Sequence, residues 1–305
     1  MISLQAISVS SGAKEMQEPG FSGRLHSVFR RAANVLSGDR LLTISDIRLG
    51  DLPNALIVRL EEAQGFADVG IMAGMEIRGD GGRLGVPESD LSITLAGATA
   101  TAAKKRIEGG VLPLSERAAN LKRARELGAI LAPDEGLGPI WYHVDAVLQA
   151  TPDGGTTWSP LCRAAIGPLA SLATGLRSGD EMLVGQGSRR LAGLGIGLTP
   201  SGDDLLTGLA GALSLLGDSR QTGDAIPPTL QAILAAADGR TNLVAWTYLR
   251  HAVRGEISAV LADYVSAVAG GREGDIDRAS QSLFAVGGTS GAELALGAFL
   301  GLCFV

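Results

Sequence analysis

Cysteine is nearly absent. Cys162 and Cys303 are the only two in 305 residues, too few for a disulfide framework or a four-thiolate zinc site, and both sit in apolar contexts that suit inert core thiols. A reducing, cytoplasmic setting is therefore expected. Histidine is as scarce, with three in the chain, and neither HExxH nor a GxSxG elbow occurs, so no zinc-protease or serine-hydrolase signature is present. Aromatic residues make up 4%, thin for a glycosidase cleft even though Asp203 or Asp204 could pair with Glu293 as two carboxylates. Basic charge is not in excess: 26 Lys+Arg stand against 32 Asp+Glu, a net charge of −6. The largest basic clusters, Lys104-Lys105-Arg106 and Lys122-Arg123-x-Arg125, read as solvated helix faces, so no nucleic acid and no membrane surface is expected as a partner. The longest apolar stretches, Leu205 to Leu216 and Ala292 to Val305, fall short of the roughly 20 residues of a membrane span. The first twenty residues alternate apolar and polar without a basic n-region or an apolar h-region, and read as a strand rather than a signal peptide.

What the chain has instead is 46% apolar residues and 43 glycines, distributed differently along its length. Up to about Lys104, short runs with strand alternation (ISLQAISVS, RLHSVF, RLLTISD, NALIVRL, VGIMAGMEI, DLSITLAGATATA) are punctuated by Ser37-Gly38-Asp39, Gly50-Asp51 and Gly79-Asp80-Gly81-Gly82. No amphipathic helix alternates with them, which argues for a sandwich or barrel and against a doubly wound sheet. Beyond about residue 110 the spacing becomes helical. Ser115 suits the cap of a helix running to Leu127, with Gly128 as its terminator. Further helices are predicted at 142–150, 162–176, 181–191, 201–216, 227–237, 242–253, 257–269, 275–285 and 290–302. The expected architecture is α+β: a β-rich sandwich or barrel-like domain over 1–110, then a glycine-rich α-helical domain over 111–305.

The most informative stretch is Gly193-Leu194-Gly195-Ile196-Gly197-Leu198-Thr199-Pro200-Ser201-Gly202-Asp203-Asp204. It is no Walker A loop, since no Gly-Lys-Ser/Thr follows, and no dinucleotide fingerprint, since no strand frames it. Ser201 with Asp204 three residues on reads as a capping box. Two adjacent carboxylates opening an otherwise apolar helix also suit a cation, or a phosphate bridged by one, beside free backbone N–H groups. A second stretch, Gly287-Gly288-Thr289-Ser290-Gly291-Ala292-Glu293-Leu294, repeats the pattern: laid over the first, Ser290 matches Ser201, Gly291 matches Gly202, Glu293 matches Asp204 and Gly297 matches Gly208. Two readings stand at this point. Either two helix N-termini converge on one site, or two Ser-capped, Gly-rich core helices happen to look alike.

Between the copies, Arg250 and Arg254 share a helix face, with His251 nearby. Such a face could clamp a carboxylate or phosphate through the planar guanidinium fork, or it could be solvated or salt-bridged to Glu256. His251 could serve as an acid or base, although no orienting partner is evident from sequence.

The segments 193–208 (GLGIGLTPSGDDLLTG), 241–256 (TNLVAWTYLRHAVRGE) and 287–302 (GGTSGAELALGAFLGL) together resemble the AllH-type subunit family of oxamate carbamoyltransferase, and GRLHSVFRRAANVLSGDRLLTI is similar to its N-terminal part. The resemblance implies a multi-subunit enzyme of anaerobic purine or allantoin nitrogen catabolism that interconverts oxalurate and phosphate with oxamate and carbamoyl phosphate. Its partners would be a small acid of the oxamate or oxalurate type, carbamoyl phosphate and the other subunits. On that footing Gly195, Gly197, Thr199, Ser201, Gly202, Thr289, Ser290, Gly291 and Glu293 would line the substrate or anion site. Asp203 and Asp204 would act in catalysis, binding a metal, with Mg²⁺ as the candidate cofactor, or orienting the amine. Arg250 would hold a carboxylate and His251 would complete the catalytic set. Gly288 and Glu293 depart from the family's usual residues, a bulky polar or aromatic side chain and an Asp, which points to an altered pocket or a different partner. The alternatives are a non-catalytic assembly or ligand-binding subunit and a small-amide hydrolase.

Overall fold

A computed structural model of the chain describes residues 2–107, 110–149, 158–218 and 225–304. Two compact units result, Met1–Lys104 and Lys105–Val305. The first unit is a closed β-barrel. Its strands are β1 (Ile2–Ser10), β2 (Pro19–Val28), β3 (Ala32–Ser37), β4 (Arg40–Asp46), β5 (Ala55–Val58), β6 (Glu76–Asp80), β7 (Arg83–Gly85), β8 (Leu91–Thr94) and β9 (Thr99–Thr101). They run in the order β5-β4-β3-β2-β6-β7-β8-β1, and an antiparallel pairing of β1 with β5 closes the ring while β9 adds to β1. A register shift between Ala6 and Ser8 lets β1 serve both neighbours. Alternating residues such as Leu25, Val35, Ile44, Leu56, Ile77, Leu84 and Ile93 form the barrel's own core. Closure also removes the exposed edges an open sheet would present.

Two segments of the barrel differ from the sequence expectation. VGIMAGMEI is a strand only from Glu76, because Gly70 and Gly74 take positive φ and turn the chain. AANVLS, not predicted, is β3, and pairs along its length with β4.

The second unit is helical: α1 (Ala118–Leu131), α2 (Val144–Leu148), α3 (Pro160–Ser178), α4 (Glu181–Leu191), α5 (Ser201–Asp218), α6 (Pro228–Ala237), α7 (Leu243–Ala252), α8 (Ala259–Gly270), α9 (Glu273–Phe284) and α10 (Ser290–Phe304). The first predicted helix begins later than Ser115 and runs past Gly128, which is not a terminator: a Cβ there would collide with the ring of buried Trp141. The helix predicted over 142–150 narrows to α2, and Ala150 lies outside the described residues. None of the described helices is long and apolar enough to cross a membrane.

Helices α5 and α10 form the centre of this unit, and both are apolar almost all round, as befits buried helices. Gly208 lies against the Leu294 backbone, Gly297 against that of Leu205, and Gly301 against Ala212. The first two contacts mirror each other near the start of both helices and the third lies further along both, so the two helices run parallel, side by side, related by a pseudo-twofold axis along their length. Helices α4 and α9, which lead into them, end in the same way: Leu194 N–H bonds the Leu191 carbonyl as Val286 N–H bonds that of Leu283. Gly202 and Gly291 then press against those same carbonyls.

Candidate functional site

The parallel arrangement places both N-termini at one end. Asp204 N–H bonds the Pro200 carbonyl and Glu293 N–H that of Thr289, so the residue before each serine is the cap of its helix and the serine is the first helical residue. The serines are turned to each other's helix: Ser201 hydrogen-bonds to Glu293, and Ser290 to Asp204. A capping box within α5 is therefore replaced by a crosswise pair of serine–carboxyl contacts between α5 and α10. Thr199 Oγ1 donates to Asp204 Oδ2 at 3.0 Å, and Thr289 Oγ1 to Glu293 Oε2 at 3.2 Å. The structure thus brings Thr199, Ser201, Asp204, Thr289, Ser290 and Glu293 together. Gly195 (φ 116°) backs directly onto Ser201, and Gly202 and Gly291 allow the loops to lie on the ends of α4 and α9. Gly197 (φ 108°) lies further out, where an added Cβ would meet only the Thr199 carbonyl.

Burial decides the charge state of this cluster. Asp204 is 6% exposed and Glu293 1%. Loss of solvent, together with the negative charge of Glu293 and Asp203 close by, pushes the Asp204 carboxyl up to about 8, against hydrogen bonds from Ser290 and Thr199. Burial also raises Glu293, against hydrogen bonds from Ser201, the Leu137 N–H and Thr289. At neutral pH Asp204 is thus mostly a neutral acid and a hydrogen-bond donor.

Asp203 has a different task. Gly193 N–H reaches its two oxygens at 3.2 and 3.1 Å, and Thr241 Oγ1 donates to Oδ2 at 2.6 Å. It ties the glycine loop to the start of α7, with burial raising its pKa against those bonds. The carboxylates do not suit a metal. Asp203 is engaged on both oxygens, Asp204 is taken up by Thr199 and Ser290, and among the described residues no group of three or more His, Cys, Asp or Glu could hold an ion.

Arg250 and His251 are not brought to this cluster. Asn242 caps α7 and donates from Nδ2 to the Leu198 carbonyl at 2.8 Å, while Ile257, past the far end of α7, lies against Gly211. α7 therefore runs alongside α5 in the same direction. Arg250 stands in its last turn, about 12 Å beyond Asn242 at 1.5 Å per residue, and is exposed. His251 has the orienting partner the sequence did not reveal: Nδ1 lies 2.5 Å from Glu256 Oε2.

Three contributors escape sequence reasoning. Leu137 N–H donates to Glu293 Oε1 at 3.1 Å, and Gly136 (φ 61°) lies against that oxygen and Thr289. The only local sign was a glycine turn in Pro133-Asp134-Glu135-Gly136, far along the chain from Glu293. Thr241 was visible only as the residue before a cap.

Chemically, the cluster gathers hydroxyls and a neutral carboxylic acid at a place where two helix dipoles present their positive ends. Residues 191–302 match the family model described as oxamate carbamoyltransferase subunit AllH, and residues 5–102 match that of the AllH family N-terminal domain. No curated protein and no solved structure matches the chain.

Proposed function

Since the chain belongs to the oxamate carbamoyltransferase subunit AllH family, we propose that it works in the cytoplasm as a subunit of an enzyme that moves a carbamoyl group between carbamoyl phosphate and a small amide or ureido acid. The reaction is the interconversion of oxalurate and phosphate with oxamate and carbamoyl phosphate, a step of purine or allantoin nitrogen catabolism. The crosswise Ser201–Glu293 and Ser290–Asp204 contacts carry this reading. They assemble a compact set of donors from two separate motifs.

Carbamoyl transfer requires no protein nucleophile. The amide nitrogen of oxamate attacks the carbamoyl carbon, the bond from that carbon to the phosphate oxygen breaks, and the nitrogen's proton leaves with phosphate as acceptor. The protein must hold both reactants in line and meet the charge that develops on the carbonyl oxygen. Neutral Asp204 can donate to that oxygen, Ser201, Ser290, Thr199 and Thr289 fix its orientation, and Glu293 receives the amide N–H. Asp203 keeps the glycine loop over the site. No step is assigned to Mg²⁺, because the carboxylates do not form a fitting donor set.

The test is a thermal-shift series with carbamoyl phosphate, phosphate, oxamate and oxalurate, singly and in pairs, on wild type, Asp204→Asn and Ser290→Ala, together with turnover of the reconstituted complex. Oxalurate or carbamoyl phosphate should raise the melting temperature of wild type and not of the variants, and both variants should lose turnover while still assembling. Full turnover by a complex containing Asp204→Asn would make the chain an assembly subunit and overturn the catalytic assignment.

A further inference from the structure

We infer that the loop tip Ile196–Leu198 is the contact through which this chain docks onto another subunit of its enzyme, inserting into an apolar pocket there. The inference rests on the subunit reading above.

The pseudo-twofold relation supplies the argument. Both motif loops open and close with the same backbone bonds, but Gly202 N–H returns to Leu194, eight residues back, whereas Gly291 N–H returns to Val286, five residues back. The shorter loop joins α9 to α10 with the same geometry at both ends, so closing the turn does not require the extra residues. Gly195 and Gly287 occupy equivalent places, each against the serine of its own loop. The surplus therefore falls within Ile196–Thr199, the stretch that carries Ile196 at 94% exposure and Leu198 at 47%.

Ile196 is the most exposed large apolar side chain among the described residues. A single exposed apolar residue is ordinary on a soluble protein, but this one is lifted by a segment its counterpart lacks. It stands between two positive-φ glycines, Gly195 and Gly197. Asn242 grips the Leu198 carbonyl and Asp203 holds Gly193, so the base of the loop is anchored and little ordering entropy remains to be lost on docking. From Gly195 to Pro200 the loop bears no charge, so it offers nothing to pair with an anionic headgroup surface and suits a dry pocket on a protein. The base of the same loop carries Thr199, a ligand of Asp204, so a partner seated on the tip stands next to the carboxyl cluster.

The experiment measures binding of the full chain to the other subunits of the carbamoyltransferase, co-expressed and purified, by size exclusion and titration. Ile196→Asp should weaken assembly by about tenfold or more, as loss of an anchoring side chain does, without changing the melting temperature of the isolated chain. Deleting Ile196–Leu198, which shortens the loop to the length of its counterpart, should do the same. Met182→Asp, at another strongly exposed apolar position, should have no effect. If the deletion fails to fold, the point variant decides. Wild-type affinity for Ile196→Asp would overturn the inference while leaving the subunit reading intact. Failure of the wild type itself to assemble with those subunits would overturn that reading and the inference with it, and loss of a homo-oligomer in Ile196→Asp would make a second copy the occupant and also overturn it.

Discussion

Ser201, in the first turn of α5, hydrogen-bonds to Glu293 of α10 rather than to its own helix. Ser290 of α10 returns the contact to Asp204 of α5. The two motifs are thus halves of a single hydrogen-bonded unit, in which each carboxyl is held by a threonine of its own loop and by the serine of the other helix.

Ser201→Ala and Ser290→Ala should each destabilise the chain by about 1–2 kcal/mol, the cost of leaving a buried acceptor short of a partner. Because the protonation of Asp204 depends on the charge of Glu293, the two sites are coupled and the double variant should depart from additivity by about 0.5 kcal/mol or more. Urea unfolding of the two single variants and the double variant measures this. Strict additivity would mean the two contacts are independent.

The raised Asp204 pKa makes stability depend on pH in a stated direction. Its folded pKa of about 8 lies above the ordinary value of 3.8, so between those limits the folded chain binds more protons than the unfolded one. Stability contributed by this proton is complete below about pH 4 and is lost as pH rises through about 8. Unfolding free energy should therefore fall from pH 5 to pH 8, by at most about 1.4 kcal/mol per unit for this group. Asp204→Asn should flatten the slope. Asp46 in the barrel acts oppositely: its bonds to Arg48 hold it well below the usual carboxylate range, so its contribution fades only in stronger acid, outside this window. Chemical denaturation at fixed pH values checks both directions.

Most of the helices could be read from sequence because their signals are local. Asp180 caps α4 just before its predicted start and Asn242, the first residue predicted for α7, is that helix's cap, and the Ser-Gly-x-acid repeat exposed the relation between α5 and α10. What escaped depends on distant neighbours. Gly128 looked like a terminator because its reason for being glycine is Trp141. Arg250 and His251 looked like site residues because their side-chain chemistry is visible in sequence while the direction of α7 is not. Leu137 contributes only a backbone N–H to Glu293, which no side-chain pattern encodes.

Glycine in the central pair can be tested against glycine elsewhere in the same helix. A Cβ at Gly208 would run into the Leu294 carbonyl and one at Gly297 into that of Leu205, whereas Gly217, later in α5, has open space around it. Helix propensity alone favours alanine by about 1 kcal/mol at each position. Gly208→Ala and Gly297→Ala should nonetheless destabilise by about 2 kcal/mol or more, since rigid backbones must separate, while Gly217→Ala should be neutral or stabilising. Thermal unfolding of the three variants distinguishes contact from propensity, and equal effects would remove the case for close parallel packing.

Gly136 separates site geometry from backbone strain. It adopts φ 61°, and an added Cβ would meet Glu293 Oε1 and Thr289; Gly179, at φ 69°, has nothing near it. An alanine at either position carries the left-handed penalty of about 1–2 kcal/mol. Only at Gly136 must the Glu293 carboxylate also move, breaking its bond from Leu137 N–H and disturbing its contact with Ser201. Gly136→Ala should therefore cut the turnover of the assembled enzyme by about tenfold or more, while Gly179→Ala, with a comparable loss of stability, should leave it unchanged. Steady-state kinetics of the two complexes, alongside their melting temperatures, is the comparison to make. If turnover follows stability equally in both, Glu293 has no role beyond holding α5 against α10, and the catalytic arrangement must be sought elsewhere in the complex.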